Sequence, residues 1–187
     1  MPEPAPALRM TVADFVRWED GTDTRYELAH GGPVAMAPPS GAHADIVANI
    51  VNALTRQLRR PCRTPLGGGV ARHDRDDQFR LPDVFVTCEA TPTTYFREPR
   101  LVVEVLSPST EREDRTEKLD FYRSLGSVET VLLVWQDARR IQAVGRDGDR
   151  WILQDIVGGG GVQVPGLGVG LALDEIYAGV EFPAEES

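Results

Sequence analysis

The sequence predicts a mixed α/β fold, and three observations support this prediction. One long amphipathic helix follows Ser40, glycine-punctuated β runs fill residues 66–106, and a strand, a helix and a second strand succeed one another between 101 and 136. The strand–helix–strand succession is a crossover, and such a crossover makes its two strands parallel, with a right-handed connection. The chain has 187 residues, so we expect one domain over 10–187 and a disordered, proline-rich extension over 1–9.

The first half of the predicted domain begins with a short helix, for which Thr11 is the N-cap. Residues 25–38 read as two short strands around a glycine turn. Ser40 then introduces the long helix, whose apolar residues at 46, 47, 50, 51, 54 and 58 follow the helical repeat until the chain reaches Pro61.

The second half begins with the β runs of residues 66–106. We expect these runs to form a meander, with Asp83 and Glu104 on neighbouring strands. Thr110 and Glu113 have the spacing of a capping box, which predicts the start of the next helix. A buried strand follows at 130–136, then a hairpin that turns at Asp147 and Gly148. In the tail, the sequence predicts a glycine loop, then a short strand and a turn of helix at 173–178.

Composition predicts a cytoplasmic protein with no membrane span, because no apolar run approaches about 18 residues and no signal peptide is visible. Cys62 and Cys88 lack metal-ligand spacing and are expected to be reduced. The net charge of −9 opposes a generally basic nucleic-acid surface, although residues 56–100 hold nine arginines against six acids.

Lys118 is the only lysine in a sequence that uses arginine 19 times. Helical spacing places it in one stripe with Phe121, Tyr122 and Leu125, so we expect it to point at the core. Upstream, Glu104 stands within an apolar strand. Two strand carboxylates and one lysine suit a divalent metal and a phosphodiester.

Two other interpretations of Lys118 remain open at this stage. It could form a buried ion pair with Glu104 and no metal, in an otherwise unrelated α/β domain. It could also form an ordinary surface pair with Asp114, which stands four residues earlier.

Five segments, in order along the chain, resemble those of a known family. They are RYEL (25–28), VAMAPPS (34–40), LPDVFV (81–86), LVVEVLSPST (101–110) and EKLDFY (117–122). From about Met10 to Asp137 the chain resembles the Uma-type family of restriction endonucleases, within the PD-(D/E)xK nuclease superfamily. The resemblance implies a restriction-endonuclease-like core, with a central mixed β-sheet flanked by helices. It also implies a Mg²⁺-dependent phosphodiesterase site.

Matching positions imply roles for particular residues. Asp83 would be the metal ligand of the PD element and Glu104 the acidic ligand of the next strand. Leu106 stands where the superfamily usually has its lysine, so the resemblance moves that role to Lys118. Glu27 matches an acidic family position and would be a further ligand or a supporting group, although the DGE that often follows YEL in the family is missing.

Two weaker candidates complete the predicted site. His43, after the second segment, matches a family histidine, but a capping or packing role is favoured for it over a catalytic one. Tyr122, one turn beyond Lys118, could donate a hydrogen bond to the site or belong to the core.

The sequence therefore predicts a metal-dependent endonuclease, in which Asp83 and Glu104 hold Mg²⁺ or Mn²⁺ and Lys118 assists. Its expected partner is nucleic acid, with DNA favoured, and a homodimer is plausible because nucleases that cut both strands often act as two-fold dimers. The alternative is a catalytically inactive nuclease fold that serves as a nucleic-acid or protein interaction module, which the acidic net charge would permit.

Overall fold

A computed structural model describes residues 9–90, 94–107 and 114–182, without the side chain of Asp114. The strands in chain order are β1 (Tyr26–Ala29), β2 (Gly32–Ala35), β3 (Val70–Ala71), β4 (Phe79–Arg80), β5 (Val84–Thr87), β6 (Pro99–Leu106), β7 (Thr130–Trp135), β8 (Arg140–Asp147), β9 (Arg150–Val157), β10 (Gly161–Val164) and β11 (Val169–Ala172). The α-helices are α1 (Val12–Phe15), α2 (Gly41–Gln57), α3 (Leu119–Ser124) and α4 (Leu173–Ile176). A π-helical turn, Asp114–Lys118, leads into α3, and a 3₁₀ turn, Pro165–Leu167, precedes β11.

The central sheet has five strands in the order β5-β6-β7-β8-β9. β6 and β7 are parallel, with Leu101 opposite Thr130, and the other neighbours are antiparallel. Helices lie on both faces of the sheet. The predicted mixed α/β fold and the parallel crossover pair are therefore confirmed.

The two faces of this sheet belong to different hydrophobic clusters, and β6 contributes to both. Val103 and Val105 pack in the cluster that contains α2 and α4, while Val102 and Leu106 pack with α3. Because side chains alternate along a strand, Glu104 faces the α3 side. The alternation of side chains that builds the core therefore also buries the Glu104 carboxylate on the α3 side.

The smaller four-stranded sheet has the order β2-β1-β4-β3. Its hairpin, β1 and β2, turns at His30 and Gly31, both of which have positive φ. The meander expected over 66–106 is wrong, because β3 and β4 join this sheet whereas β5 and β6 lie in the central one. Pro82 separates β4 from β5, and a proline cannot donate to a ladder, so the chain changes sheets there.

The expected reduced cysteines are a second correction, because Cys62 and Cys88 form a disulfide. Arg63 and Thr87 form an antiparallel bridge through two backbone hydrogen bonds of 2.9 and 3.1 Å. Because the bridge is antiparallel, Cys62, directly before Arg63, then faces Cys88, directly after Thr87. A contact made between segments 26 residues apart left no signal in the cysteine spacing.

The helix caps agree with the sequence where the structure describes them. Thr11 forms a capping box with Asp14, and Ser40 accepts a hydrogen bond from the His43 amide at 3.1 Å. The predicted capping box at Thr110 and Glu113 lies outside the described residues, as do residues 1–8 of the predicted extension.

The hairpin between β8 and β9 pairs Asp147 with Arg150, so its turn is Gly148–Asp149, one residue later than predicted. The tail forms the β10–β11 pair and α4. Within the described ranges, no helix combines the length and apolarity needed to cross a bilayer.

Candidate active site

A cavity of about 840 Å³ lies where β1, the start of α2, β6 and the end of the π-helical turn meet. Its lining includes five of the six residues singled out from the sequence, and the sixth, Tyr122, is completely buried in the α3 cluster. The described lining residues are Asp23, Thr24, Arg25, Glu27, Val34, Ala35, Met36, Ala37, Pro38, Pro39, Ser40, His43, Asp83, Glu104, Val105, Ser107, Lys118 and Gln136.

Asp83 stands one residue before β5, at the register position opposite Glu104. Its Oδ2 accepts a hydrogen bond from the Val105 amide at 2.7 Å and lies 3.2 Å from Nε2 of His43. The backbone of β6 therefore fixes the Asp83 carboxylate beside the position of Glu104. His43 therefore contacts a carboxylate of the cavity directly.

Glu104 is almost completely buried, and Tyr122 donates its hydroxyl hydrogen to Glu104 Oε1 at 2.5 Å. Burial first, and then the neighbouring Glu104 charge, raise the pKa of Tyr122 well above its usual value of 10.0. The phenol therefore remains a donor throughout the neutral range. Tyr122 is therefore a buried residue whose hydroxyl fixes the orientation of the Glu104 carboxylate.

Replacing Tyr122 with phenylalanine is expected to cost about 1–3 kcal/mol of unfolding free energy, because Glu104 loses a buried donor. Urea unfolding followed by circular dichroism measures this change. Tyr26→Phe is the matched control, since it removes a 2.6 Å phenol–carboxylate contact at the exposed Asp20 and should change stability little. An equal loss in both variants would contradict a special role for the buried bond.

Lys118 ends the π-helical turn and is 8% exposed, as the predicted apolar stripe requires. Its Nζ lies 3.5 Å from Glu27 Oε1 and 3.7 Å from Glu104 Oε2. The Asp114 side chain, the alternative partner, lies outside the described residues. The lysine ammonium thus sits between two buried carboxylates beside the cavity.

Glu27 accepts hydrogen bonds from Arg80 Nη1 at 2.9 Å and from the Leu81 amide at 2.8 Å. Both of its oxygens therefore contact protein donors or cations. These contacts suit a residue that holds Lys118 in place better than one that ligates a metal. Sequence reasoning missed Arg80, which is 0% exposed, although an arginine directly before the LPDVFV run was a signal for a buried ion pair.

The donor set of the cavity fits a hard divalent cation. Among the described residues, Asp83 Oδ1 has no hydrogen-bond or ion-pair partner, and it belongs to a residue that lines the cavity. No group of three or more His, Cys, Asp or Glu side chains in the described ranges is arranged as a metal cluster. Mg²⁺ commonly takes only one or two carboxylates and completes its shell with water and phosphate oxygens. Asp83 and Glu104 match that pattern.

The profile of the Uma2 family, described as "Putative restriction endonuclease", matches residues 12–175. The chain belongs to the Uma2 family. The resemblance carried by the five sequence segments is therefore confirmed.

Two relatives match the chain over 80% or more of its length. The uncharacterized protein slr1290 of Synechocystis sp. is 28% identical over 184 residues, which cover 95% of this chain and 96% of that protein. The uncharacterized protein sll1609 of the same organism is 26% identical over 166 residues, 80% of this chain and 88% of that protein.

A solved structure shows the same fold. It is the crystal structure of a "putative nuclease belonging to DUF820" from Anabaena variabilis, with a TM-score of 0.73 and 17% identity, covering 90% of this chain and 98% of that chain. The Uma2 membership and the shared architecture together indicate a nuclease with a restriction-endonuclease-like fold.

Proposed function

We propose that this Uma2 protein is a metal-dependent endonuclease that hydrolyses phosphodiester bonds of nucleic acid, with DNA as the favoured substrate. The observation that carries the proposal is the joint placement of Asp83, Glu104 and Lys118 on one cavity. A single cavity that offers two carboxylates and one buried ammonium suits phosphoryl transfer, in which catalysis is largely positioning and charge stabilisation.

Charge explains why this site would need a cation before it accepts a phosphate. The described lining holds four carboxylates, those of Asp23, Glu27, Asp83 and Glu104, against the two cations Arg25 and Lys118. An anionic phosphodiester is repelled by that excess of negative charge. Asp83 and Glu104 would hold Mg²⁺ or Mn²⁺, which when bound supplies an acidified water and offsets the phosphate charge.

The protein side chains have separate tasks in this proposal. Val105 and His43 fix Asp83, while Tyr122 fixes one oxygen of Glu104. Lys118 presents a compact ammonium that can donate to a phosphoryl oxygen or to the attacking water. Glu27, backed by Arg80, keeps that ammonium at the cavity wall.

One observation favours the second candidate, an inactive nuclease fold that acts as an interaction module. The buried carboxylates of Glu27 and Glu104 are balanced by the buried cations Arg80 and Lys118. This network is neutral without a metal, as a purely structural ion network would be. Cleavage assays separate the two candidates.

The proposal is tested by cleavage of plasmid and of single-stranded DNA with Mg²⁺ or Mn²⁺, and by thermal unfolding in the same solutions. Carboxylates that share a site repel one another until a cation arrives, so the cation should stabilise the wild type. At a hundredfold excess over Kd, linkage gives about 2.7 kcal/mol, or roughly 5–10 °C in melting temperature. Asp83→Asn should lose both the cleavage and most of the shift.

The matched control is Asp174→Asn, at an exposed carboxylate in α4 that does not line the cavity. It should keep the wild-type shift. Equal shifts in wild type and Asp83→Asn would place the ion elsewhere. A wild type that cleaves nothing under either metal would favour the interaction module.

A further inference from the structure

The mouth of the cavity differs in chemistry from its floor. The floor is ionic and buried, with Glu27, Glu104 and Lys118. The mouth carries six consecutive uncharged residues, Val34–Pro39, all of which line the cavity. All of these except the half-buried Met36 are exposed. An exposed apolar strip beside a polar site is typical of a ligand-binding surface.

Arg25 is the cation of the mouth. It is exposed, lines the cavity, and its guanidinium forms no ion pair or hydrogen bond with any described residue. Asp23 also lines the cavity, two residues away, yet its carboxylate and the Arg25 guanidinium form no ion pair within 4.0 Å. By contrast, the exposed Arg56 pairs with Glu175. Arg25 is therefore available to an anion from outside the chain.

We infer that the mouth binds one unpaired nucleotide of a single strand, with Arg25 on its phosphate and the strip Val34–Pro39 against its base and sugar. This inference rests on the proposed function, since it specifies the form of the substrate at the same cavity. Charge complementarity comes from Arg25, and an unstacked base supplies the apolar face that the strip can cover.

A duplex fits the mouth less well. Its bases are stacked inside, so an approaching duplex presents two charged backbones to the strip. Proteins that hold duplexes by charge use several phosphate contacts at once, typically about 6–10 in strongly salt-dependent cases. In the described part of the mouth, Arg25 is the sole cation with its charge unpaired, and the whole chain carries −9. The non-electrostatic contribution of the strip therefore selects the single strand.

Fluorescence anisotropy tests this inference with a short fluorescein-labelled single strand and the duplex of the same sequence, both with Mg²⁺. A gel run on each sample shows whether the strand stays intact during the measurement. We expect the single strand to bind at least about fourfold more tightly, the factor given by about 0.8 kcal/mol when the equivalent of one CH₂ group of the base or sugar is buried on the strip. Equal affinities, or tighter binding of the duplex, would overturn the inference.

Two substitutions, each with a matched control, then locate the contact. Arg25→Gln should weaken single-strand binding and reduce the slope of log K against log salt by about 0.7, the loss of one phosphate contact. Arg150→Gln removes the same charge from an exposed arginine outside the cavity lining and should change neither value. The same change in both variants would show a general charge effect and refute the Arg25 contact.

Val34→Asp places a carboxylate on the strip at a residue that is 40% exposed, so the fold should tolerate it. Its control, Val157→Asp, changes an exposed valine of β9, which forms an edge of the central sheet. Only Val34→Asp should weaken binding. Equal effects would refute the strip as the binding surface.

The failure of this inference and the failure of the proposed function are distinguishable. If the wild type cleaves DNA but binds duplex as well as single strand, the activity stands and the inference falls. If it binds single strands with the expected dependence on Arg25 and Val34 but cleaves nothing, the mouth is confirmed as a binding surface and the nuclease proposal falls.

Discussion

Arg80→Met is expected to destabilise the protein by about 3–5 kcal/mol, because it leaves the buried Glu27 carboxylate without its closest cation. Arg80 is fully buried, and its Nη1 lies 2.9 Å from Glu27 Oε2. Methionine fills much of the same space, so the loss reports on charge more than on packing. Urea unfolding measures the change.

Two further variants show whether the stranded charge is the cause. Glu27→Gln together with Arg80→Met removes both charges and should recover much of the loss, while the amide still accepts from the Leu81 N–H. Arg56→Met breaks an exposed pair with Glu175 and should have only a small effect. If Arg80→Met were as mild as Arg56→Met, the buried network would not hold this part of the fold together.

The elements predicted from periodicity agree well with the structure. The apolar repeat after Ser40 correctly predicted α2, and the strand–helix–strand succession correctly predicted that β6 and β7 are parallel. Alternation along β6 explains why Glu104 is buried on the α3 side. These features depend on local sequence alone, because the repeat of the side chains decides which face is apolar.

The features that sequence reasoning missed depend on contacts between distant segments. The Cys62–Cys88 bond follows from a bridge between Arg63 and Thr87, and the partner of Arg80 is 53 residues away in the chain. The segment 79–87 reads as one β run with no sign that it is shared between two sheets, although Pro82 marks the point of division.

Two separate sequence observations indicate the candidate site. The rarity of lysine singled out Lys118, and the structure places its ammonium between Glu27 and Glu104. The family resemblance singled out Asp83 and Glu104, which line the same cavity. The catalytic assignment of these three residues stays a prediction, which the cleavage assays test.

Lys118→Arg and Lys118→Met are both expected to lower the rate of plasmid cleavage by about 100- to 1000-fold, the usual effect of removing one preorganised donor at a reacting oxygen. Arginine keeps the charge, but its broad planar guanidinium cannot place one compact donor in the space beside Glu104. Methionine keeps the apolar stem against α3 and removes the charge. Single-turnover cleavage with Mg²⁺ or Mn²⁺, together with thermal unfolding, measures both properties.

The cleavage rates and stabilities of Lys118→Arg and Lys118→Met, compared with one another, separate a catalytic lysine from a structural one. After Lys118→Met, Glu27 keeps Arg80 and the Leu81 amide, and Glu104 keeps the Tyr122 hydroxyl, so the protein should fold while losing activity. If Lys118 were only an ion-pair partner, Lys118→Arg would keep wild-type cleavage, and Lys118→Met would lose activity only as far as it loses stability. Arg123→Met, on the neighbouring α3, removes a partly exposed cation outside the cavity lining and should leave cleavage unchanged. A Lys118→Arg enzyme with wild-type cleavage would therefore assign Lys118 to the ion network rather than to the reaction.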